Sequence, residues 1–170
     1  MNYSYISMIK REDVIAAMGA IPERLTDLAG GMPEPSLSYR HGPAFLTVGE
    51  VVGHLAAAGA EVDRLLRRVY LEGDLQINLR EAIEPSLSRS EEDSFGALLR
   101  DYARNRRSTV DLLRGLKGSE WKQLLQDSAS GEVELIDFCQ MVVRHEMGHL
   151  VQVRTLSTLL PVISDEVMAR

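Results

Sequence analysis

The sequence predicts an all-α fold, and within that class a four-helix bundle. Four long segments repeat apolar residues every three or four positions, which is the period of an amphipathic helix. No segment shows the alternation of apolar and polar residues that marks a half-buried strand. The connections between helices 1 and 2 and between helices 2 and 3 are long, as in some bundle topologies. The 170 residues suffice for a single domain with one core, with residues 1–10 and 162–170 as loosely attached termini.

Composition narrows the class of protein. Charged residues make up 26% of the chain, and no apolar run approaches the roughly 18 to 20 residues of a membrane span. The net charge of −6 and the absence of a basic cluster argue against nucleic acid as a partner. The N-terminus does not resemble a signal peptide, and the single cysteine, Cys139, excludes an internal disulfide. We therefore expect a cytoplasmic protein with no membrane partner.

The first helix is predicted over Asp13–Leu28, with Gly30 ending it. Pro22 removes one helical hydrogen bond, so we expect either a kink there or two shorter helices that meet at this residue. Residues 31–46 are rich in proline and glycine, which predicts a loop. His41 in this loop is predicted to be solvated rather than a ligand.

The second helix is predicted to begin after Thr47. Thr47 and Glu50 form a capping box, in which each side chain bonds the other residue's backbone N–H. The helix is expected to run to about Leu71 and to stop at Gly73. His54 falls on or beside its apolar stripe, so its imidazole is predicted to face the interior.

A crossover connection is predicted over residues 73–88, with a helical turn at Leu79–Ile83. The third helix should start at a serine cap, Ser88 or Ser90, and continue to about Leu116. Its predicted first turn is acidic, which suits the positive end of the helix dipole and comprises Glu91, Glu92 and Asp93.

Four arginines of the third helix are predicted to lie mostly on its solvated face, namely Arg100, Arg104, Arg106 and Arg107. Trp121 is predicted to be a packing anchor in a short helix that follows. After a turn at residues 128–132, the fourth helix is predicted from about Val133 to Leu160, ahead of Pro161. Its interior-facing stripe includes His145, His149 and Gln152.

Three histidines thus fall on interior stripes of two helices. His145 and His149 are four residues apart, so on a helix they lie one above the other and can face one ion. Burying three imidazoles without hydrogen-bond partners would cost about 1 to 3 kcal/mol each. A single metal ion bound by His54, His145 and His149 would avoid this cost for all three. Zinc is the default divalent metal, and nickel, iron and copper also suit imidazole ligands.

The chain resembles the DinB-like superfamily of metal-binding four-helix bundles, which includes YfiT-like hydrolases and thiol-dependent S-transferases. The resemblance rests on Val51–Leu55 and on His145–Val153, which is similar to the family pattern His-x-x-x-His-x-x-Gln. It implies that His54, His145 and His149 are the three metal ligands, with water in the remaining positions, and that the protein forms a homodimer. One departure is Leu46-Thr47, where family members often have Trp-Ser.

The resemblance implies two chemistries on a small-molecule substrate: activation of water for hydrolysis, or activation of a low-molecular-weight thiol. Glu146 is a candidate base, although a second-shell or exposed role is equally compatible with its position. Glu50 either reaches the metal-bound water or is only the capping partner of Thr47. Gln152 is expected to hydrogen-bond a ligand or a neighbouring helix, and Gly148 to permit close approach of a backbone or a substrate.

Two other classes of protein compete with this interpretation. His145-Glu146-x-x-His149 is also the pattern of zinc metalloproteases, in which the glutamate is the general base. Such enzymes take a third ligand downstream, where this chain offers only Asp165 and Glu166 in its tail. The other alternative is a non-catalytic metal-binding bundle that serves as a stress-associated interaction module.

Overall fold

The computed structural model describes residues 10–43, 45–85 and 94–167, with side chains as far as residue 160. Four long helices form the bundle, and shorter elements connect them. In chain order the elements are α1 Arg11–Ala29, α2 Glu34–Ser38, α3 Val48–Arg67, β1 Gln76–Ile77, α4 Leu79–Ile83, α5 Phe95–Gly115, β2 Leu124–Asp127, β3 Gly131–Glu134 and α6 Leu135–Val167. A π-helical segment, Arg68–Glu72, extends α3, and a 3-10 turn, Glu120–Lys122, precedes β2.

The long helices form a closed ring in the order α1, α5, α3, α6. Helix α1 packs against α5 and α6, and α3 packs against the same two helices. Helices α5 and α6 therefore face each other diagonally across the bundle. The predicted four-helix bundle is confirmed, and no helix within the described part of the chain is long and apolar enough to cross a membrane.

Two apolar clusters fill the interior, one toward each end of the bundle. One contains Met18, Leu66, Leu113 and Phe138, and the other contains Leu25, Leu55, Leu99 and Val153. Trp121 is 4% exposed and belongs to the first cluster, which confirms its prediction as a packing anchor.

Most of the predicted helices are confirmed with small changes at their ends. Helix α1 continues through Pro22 as one element, so two separate helices were the wrong alternative. Thr47 and Glu50 form the predicted capping box of α3, and Gly73 ends its π-helical extension with a positive φ of 72°. The helical turn Leu79–Ile83 is present as α4. The loop predicted over residues 31–46 contains the short helix α2, and His41 in this stretch is exposed as predicted.

Three predictions about secondary structure were wrong. Strands are present, because β2 pairs antiparallel with β3 and parallel with β1 in a small sheet. These strands are only two to four residues long, too short to show a period of two in the sequence. Val133 consequently belongs to β3 rather than to the fourth helix. Helix α6 also continues through Pro161 to Val167 and does not end at Leu160. Proline removes one backbone hydrogen bond from a helix, and here the helix continues despite that loss.

The start of the third long helix also differs from the prediction. Helix α5 begins at Phe95, and the Ser94 hydroxyl caps it by accepting a hydrogen bond of 3.3 Å from the Ala97 backbone N–H. The predicted caps at 88 and 90 and the acidic residues 91–93 lie outside the described residues. Serine is a preferred residue at helix N-caps, and the sequence has Ser88, Ser90 and Ser94 close together. Residue type alone therefore did not identify Ser94 as the cap.

Candidate metal centre

The structure brings His54, His145 and His149 together. One ring nitrogen from each lies within 4.8 Å of the corresponding nitrogen of the other two. The Nε2 atoms of His54 and His145 are 2.9 Å apart, and the three ring centroids are separated by 4.6 to 5.1 Å. Among the side chains that the structure describes, no cysteine or carboxylate joins this group.

Two helices supply the three imidazoles. His54 lies on α3 and is 8% exposed, so this helix provides the inner wall of the cluster. His145 and His149 lie one turn apart on α6, and each is partly exposed. The cluster is therefore closed on the α3 side and open to solvent on the side of α6.

Gln152 orients one of the three imidazoles. Its side-chain oxygen lies 3.0 Å from Nδ1 of His149. An amide oxygen only accepts hydrogen bonds, so Nδ1 donates and Nε2 keeps its lone pair for another partner. Hydrogen bonds of this kind fix the tautomer and ring orientation of metal-binding histidines.

The electrostatic environment favours the neutral form of two of the imidazoles, those of His54 and His145. Burial lowers the pKa of His54, and the neighbouring His149 lowers it further. Burial, His149 and His54 lower the pKa of His145 to about 4, while the Glu84 carboxylate opposes this shift. Neutral imidazoles are the form that binds a metal ion.

The donor set fits a divalent metal ion. Three imidazole nitrogens with no fourth protein ligand among the described residues match catalytic zinc sites, in which one position stays open. A hydrogen bond between His54 and His145 would satisfy only those two nitrogens, and within the described ranges no hydrogen bond to Nε2 of His149 is present. One ion bound by all three nitrogens accounts for the whole cluster.

Glu146 does not lie with the histidines. It is 1% exposed, and its carboxylate accepts a hydrogen bond from the guanidinium of Arg106 on α5. Burial raises the pKa of Glu146, and Arg106 opposes that rise. This placement argues against Glu146 as a base, and neither an exposed role nor contact with solvent is available to it.

Glu50 is engaged in capping. One carboxylate oxygen accepts a hydrogen bond of 2.7 Å from the Thr47 backbone N–H, and the other contacts Arg40. The cap therefore engages one oxygen and the ion pair with Arg40 the other, and no hydrogen bond joins Glu50 to the three histidines. No backbone approaches Gly148, because nothing in the protein lies within 4 Å of the position that a Cβ would take, so the close approach of a substrate is the part of that expectation that stays a prediction.

The placement of two charged groups, Arg106 and Glu84, was not predicted from the sequence. Arg106 was wrongly placed on the solvated face and is 0% exposed. A signal existed, because Arg106 lies four residues after buried Tyr102 and seven before buried Leu113, and so continues the apolar stripe. Glu84, at the C-terminal end of α4, acts to raise the pKa of His54 and of His145. It lies in a connection whose weak periodicity gave no sign of this role.

The fold and the cluster together define a class of protein, a four-helix bundle with a three-histidine site between two of its helices. The family model of the DinB superfamily matches residues 17–153, so the chain belongs to this superfamily. This confirms the resemblance inferred from the histidine motifs.

A solved structure supports the fold independently. YfiT from Bacillus subtilis is similar with a TM-score of 0.77 at 18% sequence identity, over 95% of this chain and 93% of that one. It is described as a probable metal-dependent hydrolase with an unusual four-helix bundle topology. No curated protein sequence matches the chain significantly.

Proposed function

We propose that this protein binds one divalent metal ion through His54, His145 and His149 and is a metal-dependent hydrolase of a small molecule. The observation that carries the proposal is the convergence of three ring nitrogens within 4.8 Å of one another. Zinc is the proposed ion, and nickel, iron and copper are the alternatives that imidazole ligands allow.

The chain's own residues prepare the site for such an ion. Burial of His54 and His145 favours their neutral imidazoles, and the hydrogen bond from Nδ1 of His149 to Gln152 leaves Nε2 of His149 with its lone pair. The partial exposure of His145 and His149 leaves one side of the cluster accessible to a small substrate. An ion in a site with open positions supplies Lewis-acid activation of water or of a substrate oxygen.

Hydrolysis is preferred over thiol transfer because YfiT, which shares the fold, is described as a probable metal-dependent hydrolase. A three-histidine site with open positions is chemically suited to either reaction. Thiol transfer with a low-molecular-weight thiol is therefore a separate arm of the test.

The metalloprotease alternative has less support. Its general base would be Glu146, whose carboxylate is buried against Arg106 instead of facing the histidines. The third histidine also comes from α3, upstream of the motif, whereas proteases with this pattern take their third ligand downstream.

Metal binding is tested first. We expect purified protein to contain about one divalent ion per chain and, after removal of the ion, to bind Co²⁺ with the visible absorption of a histidine-bound ion. His54→Ala and His149→Ala should abolish this binding. His41→Ala is the matched control, because His41 is exposed in a loop and lies outside the cluster. Co²⁺ binding that survives both cluster variants would overturn the ligand assignment.

Catalysis is tested second, on the metal-loaded protein. Small esters and amides serve as hydrolysis substrates, and electrophiles with a low-molecular-weight thiol serve as transfer substrates. We expect hydrolysis that requires the ion and is lost in His54→Ala. If the protein catalyses only thiol transfer, the proposal of hydrolysis is wrong and the protein is a transferase. If it binds metal and catalyses neither reaction, it is the non-catalytic metal-binding module.

A further inference from the structure

The acid between the two α6 histidines is held inside the bundle by an arginine. Arg106 and Glu146 form an ion pair whose side chains are 0% and 1% exposed. The pair joins α5 to α6, which face each other diagonally rather than packing as neighbours. A long side chain such as arginine is needed to cross this distance.

The pair occupies the boundary between the two apolar clusters. On α5, Arg106 separates Tyr102 of one cluster from Val110 of the other. On α6, Glu146 separates Val142 from Leu150 in the same way. The ion pair is therefore a polar layer across the middle of the bundle.

Helix α3 also contacts this layer. A Cβ at Gly59 would lie 3.1 Å from the Tyr102 ring, so glycine lets this ring approach the α3 backbone, and Nη2 of Arg106 lies 3.8 Å from the same position. The Arg106 guanidinium carbon lies 5.8 Å from the centroid of the Tyr102 ring. The layer thus touches the helix that carries His54 as well as the helix that carries the other two histidines.

Helix geometry links the direction of Glu146 to that of the histidines. Successive residues are rotated by about 100° around a helix axis, so His145 lies about 100° from Glu146 and His149 about 60° from it. Both rotations are in the same direction, because three residues fall just short of a full turn. Both histidines therefore point to the same side of the line from Glu146 to α5, and in this structure that side is the one on which α3 carries His54.

Apolar contacts alone would only weakly determine the rotation of α6 about its own axis. They are non-directional, so a helix can turn or slide by small amounts at little cost. A buried ion pair is directional, and its loss on rotation leaves a charge without a partner in a dry interior. Such pairs contribute little net stability compared with apolar residues of similar size, which favours a role in specificity.

We propose that Arg106 and Glu146 are positioning residues whose buried ion pair fixes the rotation and axial position of α6, and so directs His145 and His149 toward His54. This rests on the proposed metal-binding function. The two histidines and the acid between them then act as one rigid unit, in which the glutamate sets the direction of its neighbours.

The test replaces the pair by apolar residues of similar volume in one double variant, Arg106→Met with Glu146→Leu. This variant leaves no unpaired charge, so we expect it to fold with a Tm equal to or above that of the wild type. We expect its Co²⁺ affinity to fall about 10- to 100-fold, as on loss of groups that orient metal ligands, and its Co²⁺ visible spectrum to change. The control is Arg104→Gln with Asp101→Asn, which removes an exposed ion pair from the same helix.

Unchanged Co²⁺ affinity and spectrum in a folded double variant would overturn the positioning role. If that variant does not fold, Glu146→Asp decides, because it keeps the charge and shortens the side chain by one carbon. We expect weaker Co²⁺ binding and an altered spectrum from Glu146→Asp, and wild-type values in it would reject the proposal. Failure of the wild type itself to bind Co²⁺ is a different result, which rejects the metal site.

Discussion

The Nε2 atoms of His54 and His145, 91 positions apart in sequence, lie 2.9 Å from each other. Neither helix holds a complete site, because α6 carries two imidazoles and α3 carries the third. The site therefore exists only when these two helices pack against each other at one relative rotation and height. This dependence leads to predictions about the groups that orient the imidazoles and the helices.

Gln152→Ala should weaken metal binding without unfolding the protein. The substitution removes the oxygen that accepts a hydrogen bond from Nδ1 of His149. The imidazole can then rotate more freely and can also adopt the tautomer with the proton on Nε2. We expect Co²⁺ or Zn²⁺ affinity to fall about 10- to 100-fold, measured by competition with a chelator. Gln152→Glu keeps an acceptor at the same place and should restore most of the affinity. Equal affinities for wild type and Gln152→Ala would show that this hydrogen bond does not orient the ligand.

Acidification should destabilise the metal-free protein. The pKa of His145 is about 4 in the folded state, against 6.5 for an ordinary histidine, because burial and the neighbouring His149 and His54 disfavour its charge. Between these values the unfolded chain binds more protons, so the free energy of unfolding falls as pH decreases from 6.5 toward about 4. Glu84 opposes the shift without cancelling it.

Urea unfolding in the presence of a chelator, at several pH values across this interval, measures the effect. His145→Asn removes the titrating group and should show a flatter dependence of stability on pH than the wild type. Identical slopes for the two proteins would contradict the assignment of the effect to His145.

Glu50→Ala should reduce stability and leave metal affinity unchanged. The carboxylate accepts from the Thr47 backbone N–H at the start of α3, so its loss leaves one helix donor without a partner. We expect a cost of about 0.5 to 2 kcal/mol in the free energy of unfolding, typical of a lost cap. Thr47→Ala should give a similar loss, since it removes the other half of the capping box. A drop in metal affinity as large as that of Gln152→Ala would instead show that Glu50 contributes to the metal site.

Gly148→Ala should stabilise the protein by about 0.5 to 1 kcal/mol, because alanine reduces the backbone entropy of the unfolded chain. Gly148 is exposed in the interior of α6, and nothing lies within 4 Å of the added Cβ. Thermal or urea unfolding measures the gain. Loss of metal affinity or of activity in this variant would indicate that Gly148 makes room for a substrate after all.

Gly59→Ala should have the opposite effect. Its Cβ would lie 3.1 Å from the ring of Tyr102, which is 0% exposed, so the ring would have to shift within the packed interior. We expect a loss of about 1 to 3 kcal/mol, the usual cost of adding volume to a well-packed core. Gly59→Ala combined with Tyr102→Leu should recover part of this loss. Stability equal to that of the wild type would show that the helices adjust freely at this layer.

Several features of the protein follow from its sequence alone. The spacing of apolar residues predicts four amphipathic helices, and Thr47 with Glu50 predicts the start of α3. These features depend on residues within one or two helical turns, so local geometry is sufficient to infer them. The same local periodicity places His54, His145 and His149 on interior stripes.

Only the tertiary structure decides which interior groups meet. The parallel pairing of β1 with β2 and the diagonal arrangement of α5 and α6 depend on contacts between segments that are distant in sequence, so the local spacing of residues does not reveal them. Arg106 and Glu146 each resemble surface residues in sequence, and each is buried because the other neutralises its charge. The sequence determined that two histidines share one face of α6, whereas the packing of α3, α5 and α6 decided that this face meets His54 and that the glutamate between them points away.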